Sequence, residues 1–257
     1  AMIFNRAELK DSNKAIGLLE LATKSSAYLS QSECMKLVKS VVNVIKSCSN
    51  KAKSNELVLK SIMCVSGIIQ SPKIRQLSAD EMSEIFKMMV GILPNLHLDS
   101  ARIEAPVAFI QALASLIVCL RGEGEAAMSS GAISSVAMKT FFEAIGVFFV
   151  SGNNKIFPAT SSCLYLAVQT VLLGNGAEAV RISSDSVLLV ESELRNLLQH
   201  KFRGAWPSVL SVIGRIFFAL KQSAYPIFNS LILEIDTIHS LLKTVPTLAM
   251  IKGLQHA

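Results

Sequence analysis

The sequence has few of the residues that interrupt regular structure and few that carry charge. Its 257 residues include 13 glycines and 7 prolines, and only 17% are charged whereas 51% are apolar. A protein of many short strands needs frequent turn residues. This composition therefore excludes a protein of that class and predicts helices. The apolar content also excludes a disordered chain and is sufficient for a large or continuous core.

Long uncharged runs are also scarce. Residues 156–177 form a run without charge, but Pro158, Gln169 and Asn175 interrupt it, and residues 105–120 are too few to cross a bilayer comfortably. Helices buried on two sides within a helical stack have the same composition as such runs. We therefore expect stacked helices here and no membrane-spanning segment.

Residue patterns that support catalysis or metal binding are missing. The five cysteines contain no Cys-x-x-Cys pair, and the four histidines lie far apart in the sequence. The glycine pairs around residues 123 and 175 lack the strand and the lysine that a phosphate-binding loop needs. We predict a protein that is not an enzyme, has no cofactor or metal, and buries reduced cysteines as small apolar side chains.

Apolar residues recur at helical spacing throughout the chain, and the helices group into pairs. Successive pairs are predicted to begin near Arg6, Asn55, Ser100, Asn154 and Gly204. The separation of about 45 to 55 residues is close to the 40 to 47 residues of HEAT and armadillo units. This rhythm predicts an all-α protein, specifically a right-handed α-solenoid of about five HEAT/armadillo-type helical hairpins. An irregular α-helical bundle is the alternative.

We interpret residues 1–257 as a single solenoid segment. The last predicted helix runs to the end of the sequence without a capping glycine. On this basis we expect the segment to be a piece of a longer repeat protein.

The only tryptophan, Trp206, marks the best-defined corner in the sequence. The pattern predicts one helix that ends around Lys201, a short corner at Arg203 and Gly204, and a second helix opened by Trp206 and Pro207. Proline fits the first helical turn because the amide hydrogen it lacks has no helical acceptor there. We assign Trp206 and Pro207 a structural role at this corner.

Three adjacent pairs of phenylalanines occur within two stretches of helical pattern. Neighbouring residues on a helix point about 100 degrees apart, which suits a helix that is buried on two sides. We expect core packing for these rings, with a groove for a partner peptide as the alternative; the pairs are Phe141 and Phe142, Phe148 and Phe149, and Phe217 and Phe218.

The net charge of +6 is distributed unevenly. Residues 24–60 contain seven lysines and two glutamates, a local net charge of +5, and residues 191–221 contain five basic and two acidic residues, a local net charge of +3. A basic face can follow a phosphate backbone without reading its sequence, although a solvated helix face has the same pattern. The candidate nucleic-acid-binding residues are Lys36, Lys39, Lys46, Lys51, Lys53, Lys201 and Arg203.

A specific pattern of residues occurs around Trp206, within about residues 194–243. It consists of Leu197, Leu198, Lys201, Phe202, Trp206, Val209, Leu210, Val212, Phe217, Leu220 and the following Ala224-Tyr225-Pro226. This segment resembles the ribosomal RNA-processing protein 12-like family of large HEAT/armadillo-repeat proteins. The resemblance implies a non-enzymatic factor in pre-ribosomal RNA processing and in nuclear export of pre-ribosomal particles. No individual binding residue can be transferred, because the matched positions have the character of packing positions.

The partners implied by the resemblance are pre-ribosomal RNA, pre-ribosomal proteins and nuclear transport factors. The implied location is the nucleus and nucleolus, with shuttling to the cytoplasm. The alternative function is a nuclear transport receptor-like or general protein-binding scaffold without RNA binding, and a helical accessory domain of an enzyme is a further alternative. Salt-sensitive RNA binding separates the first hypothesis from the second.

Overall fold

The computed structural model describes residues 12–48, 55–72, 74–93, 103–122, 135–150, 154–173 and 184–220. Within these ranges the regular elements are α-helices and 3₁₀-helices, and no strand occurs. The prediction of an all-α fold is therefore confirmed for the described residues. The α-helices are α1 Ser12–Ser25, α2 Gln31–Cys48, α3 Asn55–Ile69, α4 Ala79–Val90, α5 Glu104–Gly122, α6 Ser135–Val150, α7 Phe157–Leu173, α8 Ser184–Leu197 and α9 Trp206–Leu220.

In the described part of the chain, 3₁₀-helices accompany these α-helices at Ser26–Tyr28, Ile74–Gln76 and His200–Ala205. The chain divides into two compact units, Ala1–Phe141 and Phe142–Ala257, and the division falls inside α6. Each unit is described by itself below.

Local side-chain chemistry determines where two of the helices begin. Ser78 caps α4: its amide donates to Glu81 Oε2 at 2.9 Å, and the Glu81 amide donates to Ser78 Oγ at 3.3 Å. Ser30 and Glu33 form the same reciprocal pair at the start of α2, with distances of 2.9 and 3.4 Å. Hydrogen bonds from the Ser30 hydroxyl and amide lower the pKa of Glu33.

In unit 1, each helix packs against the helix two positions along the chain. Helix α3 lies against both α1 and α5, and α2 lies against α4. Lys60 of α3 pairs with Glu20 of α1 at 3.1 Å, across 40 residues of sequence. Alternate helices of unit 1 are therefore in direct contact through residues that lie 40 to 45 positions apart in the sequence.

The contacts between α2 and the segment around α4 show the direction of the stacking. The Gln31 side-chain amide donates to the Gln76 carbonyl, which lies 45 residues further on. Lys39 pairs with Glu84 at 2.9 Å, at the same offset in sequence. Between the first contact and the second, the residue number increases by the same amount in both segments. The two segments therefore run in the same direction.

In unit 1, the helices do not pair with the neighbours that the sequence predicted. The predicted pairs begin at α1 and α3, whereas the consecutive helices that pack closely are α2 with α3 and α4 with α5. Apolar periodicity gives the length of a repeat, but each helix has apolar surface toward both of its sequence neighbours. The pattern therefore does not tell which neighbour is the closer one.

The phenylalanine pairs of α6 are buried, as predicted. Phe141, Phe142, Phe148 and Phe149 are all at most 3% exposed, and the Phe141 ring lies 6.0 Å from the ring of Phe86 in α4. The core prediction is wrong for Phe218 of α9, which is 87% exposed.

In unit 2, helix α9 packs against α7, α8 and the 3₁₀-helix His200–Ala205. The Phe202 ring of that 3₁₀-helix approaches Gly146 of α6 closely. A Cβ atom at Gly146 would lie 3.1 Å from Phe202 Cζ and 3.6 Å from Leu197 Cδ2, so a larger residue requires these buried side chains to move. Gly17 of α1 has no such neighbour within 4 Å.

We predict that Gly146→Leu destabilises the protein, whereas Gly17→Leu does not. Overpacking a filled site costs about 1–3 kcal/mol, whereas replacing an open helical glycine by leucine gains up to about 1 kcal/mol. Urea denaturation monitored by far-ultraviolet circular dichroism measures both changes. Equal midpoints for the two variants would contradict the close packing of Phe202 on Gly146.

Candidate nucleic-acid interface

The candidate residues of α2 lie on its solvent side. Lys36 and Lys46 are exposed and Lys39 is partly exposed, whereas Val38 and Val42 are fully buried on the opposite side. We call Lys36, Lys39 and Lys46 the α2 lysine face. Their spacing of three and seven residues places them along one side of the helix. Lys51 and Lys53, predicted to continue this face, lie outside the described residues.

The α2 lysine face is partly neutralised by acidic residues. Lys39 forms its ion pair with Glu84 of α4, and the side chains of the two residues are 45% and 50% exposed. Lys36 is close enough to Glu33 to contribute to the lowered pKa of that carboxyl, after the larger effect of the Ser30 hydrogen bonds. An exposed pair of this kind is worth at most about 1 kcal/mol, so a polyanion can compete for Lys39.

The other candidate residues, Lys201 and Arg203, lie in the corner between α8 and α9. Helix α8 ends at Leu197, four residues before the predicted end, because Gln199 adopts an extended conformation with ψ of 153°. Residues 200–205 then form a 3₁₀-helix, and α9 begins at Trp206 as predicted. The end of α8 is tightened by hydrogen bonds over three residues, such as that from the Leu198 amide to the Arg195 carbonyl.

One carbonyl group holds this corner together. The Gln199 carbonyl accepts from the Phe202 amide at 2.9 Å and from Trp206 Nε1 at 3.3 Å. The Trp206 side chain is 3% exposed, so its indole nitrogen is hydrogen-bonded while the ring packs inside the unit. Pro207 follows in the first turn of α9 and is half-buried.

Lys201 and Arg203 are both exposed on the surface of the corner. The Lys201 ammonium lies 4.9 Å from the centroid of the Phe202 ring, within cation–π range. These two residues belong to unit 2, whereas the α2 lysine face belongs to unit 1.

The structure brings together one basic and aromatic pair that the sequence analysis did not predict. The Arg215 guanidinium of α9 lies 3.8 Å from the centroid of the Tyr165 ring of α7. The two residues are one repeat length apart in sequence, so no local motif connects them. Only the rule that alternate helices of a stack are neighbours could have suggested this contact.

The described residues contain no group of three or more histidine, cysteine, aspartate or glutamate side chains able to hold a metal ion. Cys34, Cys64, Cys119 and Cys163 are not in disulfide bonds; Cys119 is half-buried and the other three are buried. Burial raises the pKa of the Cys163 thiol, which keeps it protonated. No helix among the described ranges is long and apolar enough to span a membrane.

Comparisons with protein-family models, with curated proteins and with solved structures find no match to this chain. The resemblance to the ribosomal RNA-processing protein 12-like family therefore stays a prediction from the residues of the 194–243 segment.

We predict that Trp206→Phe lowers the free energy of unfolding by about 1 kcal/mol, because it removes the hydrogen bond to Gln199 but retains an aromatic ring. Trp206→Ala is expected to cost about 3–5 kcal/mol, because it leaves a cavity in the corner. Circular dichroism during urea denaturation measures both, since these variants lack the only tryptophan. Wild-type stability of Trp206→Ala would show that the corner does not depend on this side chain.

Proposed function

We propose that the chain is a segment of a non-enzymatic HEAT/armadillo-type α-solenoid that acts in ribosome biogenesis and binds pre-ribosomal RNA through the α2 lysine face. The observation that carries this proposal is the exposure of Lys36 and Lys46 on the solvent side of a helix whose other side is buried. The proposal includes pre-ribosomal RNA processing, export of the particles from the nucleus and nucleolus, and contacts with pre-ribosomal proteins and transport factors.

Two observations support the solenoid architecture. The odd-numbered helices begin at Ser12, Asn55, Glu104, Phe157 and Trp206, so successive starts are about 43 to 53 residues apart, close to the length of HEAT and armadillo units. Within unit 1, the polar contacts between alternate helices span 40 and 45 residues. Each helix pair would leave an apolar face in water if it were isolated, and stacking removes that face from solvent.

The chemistry of the α2 lysine face suits a phosphate backbone more than a base sequence. Lysine ammonium groups are point charges on flexible stems, and they contact phosphate oxygens without the planar geometry that reads base edges. Binding would release counterions and would therefore weaken steeply with salt. The face is expected to supply affinity for folded pre-ribosomal RNA, with little dependence on sequence.

The ribosomal role rests on the resemblance of the segment around Trp206. The buried ring of Trp206, its hydrogen bond to Gln199 and the tightly packed Phe202 give this segment a structural function within unit 2. We take this corner as support for the proposed type of scaffold, and the α2 lysine face as the proposed main RNA-binding surface.

A second candidate function, a protein-binding scaffold without RNA binding, is favoured by a groove in unit 1. This groove, between α1, α3 and α5, has a volume of about 730 Å³, and its lining includes Leu59, the exposed Met63 and the small residues Gly67 and Ala108. Grooves with apolar floors and charged rims are typical binding sites for helical or extended peptides.

We predict that the triple change Lys36→Glu, Lys39→Glu and Lys46→Glu weakens binding to a fluorescent RNA hairpin with single-stranded flanks by at least about tenfold at low salt. It should also reduce the slope of log Kd against log salt concentration by about two to three, because up to three phosphate contacts are lost. Fluorescence anisotropy across a series of salt concentrations measures both quantities.

A matched variant controls for overall charge. The triple change Lys14→Glu, Lys24→Glu and Lys139→Glu alters exposed lysines elsewhere and brings the formal net charge from +6 to zero, as the first variant does. We expect it to retain most of the RNA affinity. Equal losses in both variants would contradict a localised face, and wild-type protein that does not bind the hairpin at any salt concentration would favour the scaffold function.

We also predict that Glu84→Gln increases affinity for the same hairpin about twofold to fivefold, because it releases Lys39 from its ion pair. The stability of the fold should change by less than about 0.5 kcal/mol, since the pair is exposed. Anisotropy and urea denaturation measure the two effects. Unchanged affinity in Glu84→Gln would place Lys39 outside the interface.

A further inference from the structure

The contact between Arg215 and Tyr165 has an unusual electrostatic setting. Helices α7 and α9 contain no aspartate, glutamate or lysine, and Arg215 is their only arginine. Among the described residues, Arg215 has no carboxylate within ion-pair distance, and its recorded partner is the Tyr165 ring, 3.8 Å away. An exposed arginine that lies over an aromatic ring rather than against a carboxylate retains its charge and its hydrogen-bond donors for a ligand.

A second aromatic side chain lies next to Arg215 on the same helix. Phe218 follows Arg215 by three residues, so the two project from neighbouring positions on one side of α9, about 5–6 Å apart at their Cβ atoms. The Phe218 side chain is 87% exposed, far more than the other phenylalanines described in this protein. Phe217, its neighbour in the sequence, is half-buried.

The surroundings of Phe218 do not form an extended apolar patch. Within the described parts of α7 and α9, Phe218 is the only exposed large apolar side chain, and Ser162 and Arg215 are among the other exposed residues. A surface that docks an amphipathic partner helix needs several apolar anchors at successive turns. A single exposed aromatic ring beside a guanidinium that lies over a second aromatic ring is typical of a site that stacks the bases of unpaired nucleotides.

We propose that Tyr165, Arg215 and Phe218 form a base-stacking site for single-stranded RNA. One face of the guanidinium is covered by Tyr165, and its other face is a planar cation on which a base can stack. The Phe218 ring takes a neighbouring base, and the guanidinium N–H groups donate to phosphate or base oxygens. Because no carboxylate occurs on α7 or α9, these helices do not themselves repel the phosphates.

This inference rests on the proposed RNA-binding function and adds the structural class of RNA that is preferred. The α2 lysine face has no means of distinguishing paired from unpaired nucleotides, since it contacts phosphates alone. Stacking on Phe218 and Arg215 requires bases that are free of a duplex. The site would therefore direct the protein to unpaired segments of RNA.

The test measures binding of the full chain to a fluorescent 12-nucleotide uridine-rich single strand and to an RNA duplex of 12 base pairs. Phe218→Leu keeps an apolar side chain of similar size but removes the aromatic face, and Arg215→Lys keeps the charge but removes the planar group. We expect each variant to weaken single-strand binding by about fivefold or more. Duplex binding should remain within about twofold of that of the wild type.

Two matched variants accompany these changes. Leu188→Ala alters another exposed apolar side chain of unit 2, which is 62% exposed on α8, and should leave both affinities unchanged. Phe218→Trp retains an aromatic face and should preserve single-strand binding, with quenching of the added tryptophan emission when bases stack on it. Circular dichroism spectra identical to that of the wild type show that the variants are folded.

The possible outcomes separate this inference from the proposed function. Wild-type single-strand affinity in both Phe218→Leu and Arg215→Lys, with a loss only in the α2 triple variant, would overturn the stacking site but leave the proposed function intact. Equal losses of affinity for the single strand and the duplex in these variants would also overturn it. So would impaired binding of a protein factor by the variants with their RNA affinities unchanged. Absence of binding by the wild type to either RNA would overturn both proposals.

Discussion

Within unit 1, the fold depends on packing between alternate helices: α1 with α3, α2 with α4, and α3 with α5. Helix α3, which lies between α1 and α5 and also contacts α2, shows the consequence most clearly. Six of its nine apolar residues are buried, and even Ser61 and Ser66 are at most 1% exposed. Among its described side chains, the exposed ones are Glu56 and Met63, seven residues apart, and Gln70 just beyond the end of the helix is exposed as well. A helix enclosed in this way has one narrow stripe left for solvent, which explains why a chain with so little charge is consistent with this packing.

Much of the fold could be predicted from the sequence because the signals are local. Ser78 and Glu81 fix the start of α4 through hydrogen bonds over three residues, and Pro207 lies in the first turn of α9. The end of α8 was placed four residues too late, because Leu198 and Lys201 continue the helical pattern of the sequence. The Gln199 carbonyl instead accepts a hydrogen bond from Trp206 Nε1 on the other side of the corner, and this contact depends on how α9 folds back. The pairing of α2 with α3 likewise depends on tertiary packing.

The same distinction between local signals and tertiary packing applies to the candidate site. The position of Lys36, Lys39 and Lys46 on one side of α2 follows from helical spacing alone. The carboxylate that binds Lys39 does not, because Glu84 belongs to another helix 45 residues away. The exposure of Phe218 was missed for a related reason: a phenylalanine pair indicates burial on two sides, but α9 buries mainly the side that faces α7 and α8. Sequence patterns thus describe one helix well and predict contacts between repeats only when the phase of the stack is known.

The two proposed binding surfaces use the exposed stripes of different helices and different chemistry. On α2, flexible ammonium groups attract phosphates, and nearby Glu33 and Glu84 weaken that attraction. On α9, one arginine is oriented by Tyr165 and has no acidic neighbour on its own helix, so it can act through its planar shape as well as its charge. Because both stripes lie outside the packed core, a substitution in either one is expected to change the proposed recognition with little effect on the fold. On this proposal, a single aromatic residue on the solvent side, such as Phe218, is sufficient to add a preference for unpaired RNA to a set of buried helices.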